Sequence, residues 1–276
     1  MSWRKYLLVP VLALKGRRRR PGDAWQAYWR AVRRTGPEGE VLWDGAGEHE
    51  LRWWLETARR HLDESLPVLD VGCGNGRLSR LLAGAFPAVL GVDVSPAAVE
   101  VAERESRQVA GVRFRQLDVT APEAGTTLAG ELGPANVVVR GVLHVLNRQE
   151  RRRAVAALQQ VLGGRGVLLL LETNWRGDLL GYLEHLGARR GRLPAVVSRL
   201  IEFGVPRPHA FGAAELADTF PADGWVTVTS GPVDMAPVRS LGPGGTVVIP
   251  GYHAVLRPAP AAATAGPGTD TAEQGM

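Results

Sequence analysis

The stretch Val68-Leu69-Asp70-Val71-Gly72-Cys73-Gly74-Asn75-Gly76-Arg77-Leu78 decides the fold. A short apolar run ends near an acidic residue, three glycines follow at alternate positions, and a helical pattern starts at Arg77. Glycine tolerates the positive φ of a tight turn out of a strand, and without a Cβ it lets the backbone approach a ligand closely. The helix beyond the turn opens with unpaired N–H groups. Strand, glycine turn and helix together predict a ligand-binding βα unit.

The rhythm repeats outward from this unit. Upstream, Trp25, Tyr28, Trp29 and Val32, and then Leu51, Trp54, Leu55 and Ala58, recur at i, i+3, i+4 and i+7, predicting helices over residues 24–34 and 48–64. Downstream, helical patterns at 77–86, 96–109 and 147–162 alternate with strands at 88–94, 112–117, 136–139 and 167–171, the last of them fully apolar. Strands that are apolar throughout are buried on both faces, as in a parallel sheet covered by helices. After Glu172 the rhythm breaks. Residues 173–222 are rich in Gly and Pro, too long for an ordinary connection, and are expected to form an insertion over the sheet's carboxyl edge. Residues 225–229 and 246–256 are expected to close the sheet as an antiparallel pair. The expected organisation is a basic arm (1–22), a single domain (23–257) and a disordered tail (258–276). Within the domain, 23–66 form a helical lid, 67–172 the core, 173–222 the insertion and 223–257 the closing strands.

Composition narrows the function. Hydrophobic residues make up 45% of the 276 and charged residues 22%, a globular balance. Cys73 is the single cysteine, which excludes a disulfide framework, a cysteine-based zinc site and an iron–sulfur cluster and predicts a reducing, cytoplasmic setting. Residues 1–34 carry ten basic side chains against Asp23, a local charge of +9, so the rest of the chain sums to −4. A mildly acidic body is not a nucleic-acid surface, and no nucleic-acid partner is expected. The apolar run Tyr6–Leu14 is too short to span a bilayer and leads into Lys15 and Arg17–Arg20, not a cleavage site. Stable membrane insertion is therefore not expected; weak attraction of the arm to anionic lipid or substrate is.

A glycine turn alone also suits dinucleotide-binding proteins. Two further strand ends sharpen it. Gly91-Val92-Asp93 puts an acid 17 residues after Gly76, placed to accept two ribose hydroxyls. Gln116-Leu117-Asp118 puts another where it can meet an adenine amino group. With these, the sequence resembles the class I S-adenosylmethionine-dependent methyltransferases: "VLDVGCGNGRLS" is similar to their first motif, "GVDVSPAAVEVA" to the ribose-binding strand and helix, "VRFRQLDVT" to the adenine-contacting strand, "NVVVRGVLHVL" to the fourth strand, and "LGGRGVLLLLET" to the fifth. The resemblance covers residues 40–172 well and implies a Rossmann-like, doubly wound, mostly parallel α/β sheet with an antiparallel last strand. It implies an enzyme that uses S-adenosylmethionine and releases S-adenosylhomocysteine. Asp70, Gly72, Gly74 and Gly76 would hold the methionine part, with Cys73 and Asn75 in the same turn. Asp93 would bind the ribose with Val94 on the adenine, Asp118 and Val119 would receive the adenine, and Arg140 and Gly141 would stand beside the sulfonium.

Two departures bear on the acceptor. The fourth strand begins with Asn136 where many relatives carry aspartate, and it ends in Arg140-Gly141, not the Asp/Asn-Pro-Pro-Tyr/Phe pattern of adenine-N6 methyltransferases. A single cysteine also excludes two-cysteine cytosine-C5 chemistry. A small-molecule acceptor is expected, methylated on O, N or S, in secondary metabolism. Six of eight tryptophans lie in residues 1–54, and "AYWRAVRRTGPEGEVLWDGAGEHEL" loosely resembles the lid of small-molecule and thiopurine-type methyltransferases. Tyr28, Trp29 and Trp43 are the expected wall of the acceptor site; the alternative is that they only pack the lid on the sheet. Glu172, His144 and Arg140 are the candidate catalytic side chains: Glu172 as base, His144 as a group that ordinarily titrates near neutrality, and Arg140 as a holder of an acidic acceptor group. His61 and His185 read as surface residues, no histidine–carboxylate grouping has metal-ligand spacing, and Arg189, Arg190 and Arg192 would favour an anionic acceptor if they faced the pocket. Two other readings stand beside this one: C-methylation of an anionic or isoprenoid-like substrate with Glu172 as base, and a non-catalytic cofactor-binding protein. The sequence carries no signal for oligomeric state.

Overall fold

The protein, described here by a computed structural model over residues 20–45, 48–189, 192–235 and 247–260, is built on one seven-stranded sheet. Strands β1 (Val68–Val71), β2 (Val89–Asp93), β3 (Val112–Gln116), β4 (Asn136–Arg140) and β5 (Leu168–Thr173) are parallel. β6 (Trp225–Met235) and β7 (Ile249–Pro258) pair antiparallel with each other, and β7 with β5. The spatial order is β3-β2-β1-β4-β5-β7-β6, the doubly wound arrangement with antiparallel closing strands that the sequence predicts. The order reverses between β1 and β4, so a crevice opens beyond their carboxyl ends, where ligands of such sheets bind.

Helices α1 (Pro21–Ala31) and α2 (Glu48–His61) precede the sheet. α3 (Arg77–Ala83), α4 (Pro96–Glu105), α5 (Ala124–Leu132) and α6 (Arg148–Leu162) cover its faces; α7 (Leu179–His185), α8 (Ala195–Phe203) and α9 (Ala213–Thr219) lie between β5 and β6. Alternation along each strand divides the core. Val68, Val138, Leu169 and Leu171 face one layer with Trp54 and Leu82; Leu69, Val137, Val139 and Leu170 face the other with Leu158 and Leu162. Each fully buried Leu or Val contributes about 1.5–3 kcal/mol relative to exposure, which is why these strands read as unbroken apolar runs.

Helix ends follow local chemistry. Ser95 caps α4, accepting from the N–H of Ala98, with Pro96 in the first turn; Asn147 and Glu150 form a capping box on α6, and Gly163 (φ 54°) ends it. Helix α5 was not legible in its sequence, AGTTLAGEL, because its buried side is small: a Cβ on Gly125 would stand 2.8 Å from Ala157 Cα, so glycine lets α5 close on α6. β6 runs on to Met235, beyond the expected Thr229, because it is an edge strand whose alternate residues face water and break the apolar signal. Asn136 is buried at the amino end of β4, at the edge of the sheet opposite the crevice, where its side chain accepts from the N–H of Asp63 and Val167 and donates to the carbonyl of Asp63. The expected arm lies outside the described residues up to position 19, as do Thr246 of the expected strand, Arg190, and the tail from 261. No helix among the described residues is long and apolar enough to cross a membrane.

Candidate functional site

The glycine turn follows β1. Gly72, Gly74 and Gly76 have φ of 71°, 54° and 73°, where L side chains are strained. A Cβ on Gly74 would stand 2.9 Å from Trp29 Cζ2, and one on Gly76 2.5 Å from Phe114 Cζ. The N–H groups of Gly72 and Cys73 donate to the carbonyl of Val92, tying the turn to β2. Asp93, at the end of β2, accepts from the N–H of Gly74 (3.0 Å) and Ser95 (2.9 Å). Asp70 accepts from the Ser79 hydroxyl at 2.5 Å. Burial pushes both carboxyls up to about 6, and the nearby Asp93 charge adds to the effect on Asp70. Such acids gain from a cationic or hydroxyl-bearing ligand. Burial also pushes the Cys73 thiol up, which removes it as a nucleophile.

A cavity of about 350 Å³ starts at this turn. Its first half is lined by Gly72, Gly74, Asp93 and Val94, by Asp118 and Val119 after β3, and by Arg140 and Gly141 after β4. Asp118 is exposed, with one carboxylate oxygen accepting from both the N–H and the hydroxyl of Thr120. Asp70, Cys73, Asn75 and Gly76 stand behind this wall and shape it. A turn that only glycine can make, the carboxylate of Asp93 and exposed Asp118 at the far end fit, in that order, the amino acid, ribose and adenine parts of S-adenosylmethionine.

The lid covers this half. Gly22 packs on Val94, Trp29 packs on Gly74, and Gln26 accepts from the Ser95 hydroxyl (2.7 Å) and the N–H of Ala97 (2.9 Å). Asn75 donates to Asp44 at 2.8 Å, and Arg77 donates to the Asp44 carbonyl. Arg140 pairs with buried Glu50 of α2 at 2.6 Å and donates to the Trp43 carbonyl at 3.0 Å. Arg140 thus lines the cavity, but its charge is met inside the protein rather than left for an acidic acceptor group.

The second half is apolar. Trp25, Trp29 and Trp43 face it from the lid, Tyr182 and Leu200 from the insertion, and Met235 from the closing strands. Trp25 and Trp29 stand 5.6 Å and 6.3 Å from Trp43, edge on. Tyr28, expected on this wall, is instead fully buried behind it, with its hydroxyl donating to the Glu40 carbonyl at 3.3 Å. Burial pushes its phenol up.

His144 and Thr173 stand where the halves meet. Glu172 is 0% exposed and off the cavity wall. It accepts from the N–H of Val142 (3.2 Å), Leu143 (2.9 Å) and His144 (3.2 Å), and its Oε2 lies 2.6 Å from His144 Nδ1. The carboxylate already accepts three N–H groups, so a proton on Nδ1 would complete its contacts and leave Nε2 as the acceptor atom of the ring. The Thr173 N–H donates toward the same Nδ1 at 3.2 Å, so it competes with Glu172 for that ring atom. Glu172 therefore stands behind His144, with its oxygens committed, because the chain after β4 folds back over it.

Other expectations change for similar reasons. His61 and His185 are half-buried: His185 stacks on Trp175 at 4.9 Å and its Nε2 lies 2.6 Å from the Val248 carbonyl. Arg189 and Arg192 bridge each other through their backbones and are not on the cavity wall. Among the described residues no cluster could hold a metal ion. Trp25, Tyr182 and Met235 were missed. Trp25 shares the spacing of Trp29 and was recoverable; Tyr182 and Met235 come from segments whose pairing with the lid left no local pattern.

Comparison with known proteins agrees with this geometry. The methyltransferase domain family matches residues 68–166. An S-adenosylmethionine-dependent methyltransferase from Anabaena variabilis is 27% identical and superposes with a TM-score of 0.76 over 89% of this chain and 98% of that one. A protein whose structure is described by the conversion of a disulfide bond into a thioacetal group during echinomycin biosynthesis is 25% identical, with a TM-score of 0.62 over 86% of this chain and 92% of that one. An S-adenosylmethionine-dependent methyltransferase from Methanosarcina mazei shares the fold at 19% identity, with a TM-score of 0.52 over 73% and 96%. No curated protein matches the chain. Strand order, glycine turn and these likenesses converge: residues 68–166 carry a methyltransferase domain, the fold is consistent with that of class I methyltransferases, and the chain is an S-adenosylmethionine-dependent methyltransferase.

Proposed function

We propose that the enzyme methylates a small, largely apolar molecule on a proton-bearing heteroatom, with His144 taking the proton. One observation carries the reading: the cavity is continuous from the glycine turn to a tryptophan-walled chamber, and His144 stands at the junction. The cofactor supplies a methyl group on a sulfonium, transferred by in-line displacement. The lid's part is alignment and exclusion of water, since Trp25, Trp29 and Trp43 close the chamber over the reacting end. His144 Nε2 accepts the acceptor's proton as its heteroatom gains the methyl, and Glu172 at 2.6 Å holds the ring in that tautomer.

Asp93 would hold the ribose part and Asp118 the adenine, while Asp70 would act on the amino acid part from behind the glycine turn. An enclosed apolar chamber and a mildly acidic body favour a small molecule over a nucleic acid. The relative linked to echinomycin biosynthesis supports a place in secondary metabolism and puts thiols beside phenols among the acceptors to try, with disulfides, which carry no proton for His144, as a contrast. C-methylation with Glu172 as base has less support, because its oxygens already hold three N–H groups and His144.

The test is transfer of a labelled methyl group from S-adenosylmethionine to a panel of phenols, aryl thiols, disulfides, amines, RNA and DNA. Labelling of apolar phenols or thiols that His144→Gln lowers by two orders of magnitude or more is expected. Labelling of nucleic acid alone, or of small molecules at an unchanged rate in the variant, overturns the reading.

A further inference from the structure

A second cavity, of about 210 Å³, adjoins the first, and Tyr182 and Pro208 line both. The wall between them is Val205-Pro206-Arg207-Pro208-His209. Val205 and Pro206 face the apolar chamber, whereas Arg207 and His209 face the second cavity. This wall is stiff. Two prolines fix their own φ and hold the residues before them extended. Its ends are pinned by the Val205 N–H donating to the Leu200 carbonyl and the His209 N–H donating to the His144 carbonyl, both at 2.9 Å. The backbone that carries Arg207 is therefore held in place beside His144.

The charges in the second cavity are unequally committed. Arg176 pairs with Glu215 at 3.0 Å, and Asp178 accepts from the N–H of Gly181 at 2.6 Å, capping α7. Arg207 is exposed and has no hydrogen-bond or ion-pair partner among the described residues. His209 beside it is pushed down by burial first and then by Arg207, Arg151 and His144, all of them cationic when charged. The local field favours an anion.

We infer that Arg207 anchors the anionic group, such as a carboxylate, sulfonate or phosphate, of an amphipathic acceptor whose apolar body fills the tryptophan chamber. The inference rests on the small-molecule reading above and names the acceptor's class. Guanidinium suits planar, bidentate recognition of such anions, and a stiff wall lets one contact set how far the acceptor reaches toward His144.

A matched pair of probes tests it on the full chain, with and without S-adenosylhomocysteine: 1-anilinonaphthalene-8-sulfonate and its neutral counterpart N-phenyl-1-naphthylamine. Both become fluorescent in apolar surroundings and differ in the sulfonate. The expected result is that the sulfonate binds at least tenfold more tightly. Arg207→Gln should bring the two within about twofold while leaving the neutral probe and the thermal shift with S-adenosylhomocysteine unchanged; Arg153→Gln, at an exposed position of α6, should change nothing. Equal affinities, or a preference that survives Arg207→Gln, overturn the anionic class alone. Failure of both probes to bind overturns it together with the apolar small-molecule reading. Absence of the thermal shift touches only the cofactor site.

Discussion

The two halves of the cavity are made by different means. The cofactor half is made from backbone at the ends of adjacent parallel strands: a turn at positive φ, N–H groups tied to β2, and one acid per strand end. The acceptor half is made from side chains that arrive from the lid, the insertion and the closing strands, which lie far apart in the chain. A backbone site tolerates little change in its residues and repeats in relatives. A side-chain site can be rebuilt by substitution without disturbing the sheet. The contrast fits the extent of the family match, residues 68–166, which takes in the glycine turn and the strand ends but not the lid, the insertion or the closing strands.

Separate changes in each half should break or sharpen that contrast. The largest effect is expected at the junction. His144→Gln should lower kcat by about 10²–10⁴-fold with S-adenosylhomocysteine binding intact, measured by single-turnover methyl transfer and calorimetry. Loss of cofactor binding along with turnover would mean that the halves are not separable there. Next, S-adenosylhomocysteine at a hundredfold its Kd should stabilise the native protein by about 2.7 kcal/mol, and Asp93→Ala should abolish the shift in Tm. An unchanged shift would remove Asp93 from the ribose site.

The pH dependence is third. Asp70 and Asp93 are pushed up to about 6 without cofactor, so the fold binds more protons than the unfolded chain between about pH 4 and pH 6. Their contribution to the stability of the cofactor-free protein is therefore full below the ordinary carboxylate range and is lost as pH rises through about 6. Ligand needs the ionised forms. The thermal shift given by S-adenosylhomocysteine should grow between pH 5 and pH 7, and binding at pH 6 should release protons, seen as a buffer-dependent heat. A shift independent of pH would contradict the role given to these acids. The smallest effect is expected where the halves are tied. Arg199 of α8 donates to the Ala31 carbonyl and pairs with Glu40 at 2.9 Å, both in the lid, at partly exposed positions. Arg199→Ala should cost about 0.5–1 kcal/mol in urea unfolding and accelerate hydrogen exchange in α1 relative to the sheet. Uniform acceleration would mean that the lid and sheet open together.

Legibility followed the same division. Asp93 and the three glycines could be placed from sequence because strand, turn and next strand lie within a few tens of residues, and each position is dictated by φ, by close approach or by the register of a neighbouring strand. Arg140 was identified, but its partner Glu50 lies 90 residues away on α2 and no spacing announced the pair. Glu172 was expected in the crevice from its place after β5; the fold-back of residues 142–144 over its carboxylate moved it behind His144. Tyr28 and Trp29 are consecutive on α1 and indistinguishable by composition, yet one is sealed behind the wall and the other packs on Gly74.

The sequence by itself determined the parallel sheet, the glycine turn and the acids at the strand ends, because period, turn chemistry and strand order are local or near-local properties of the chain. The tertiary structure alone decided which side chains line the apolar chamber, which carboxylate contacts His144, and that Arg207 rather than Arg189 or Arg192 lines the cavity adjoining that chamber. Those outcomes depend on how helices from distant segments dock, and docking is set by summed packing and charge pairing that no single stretch of sequence contains.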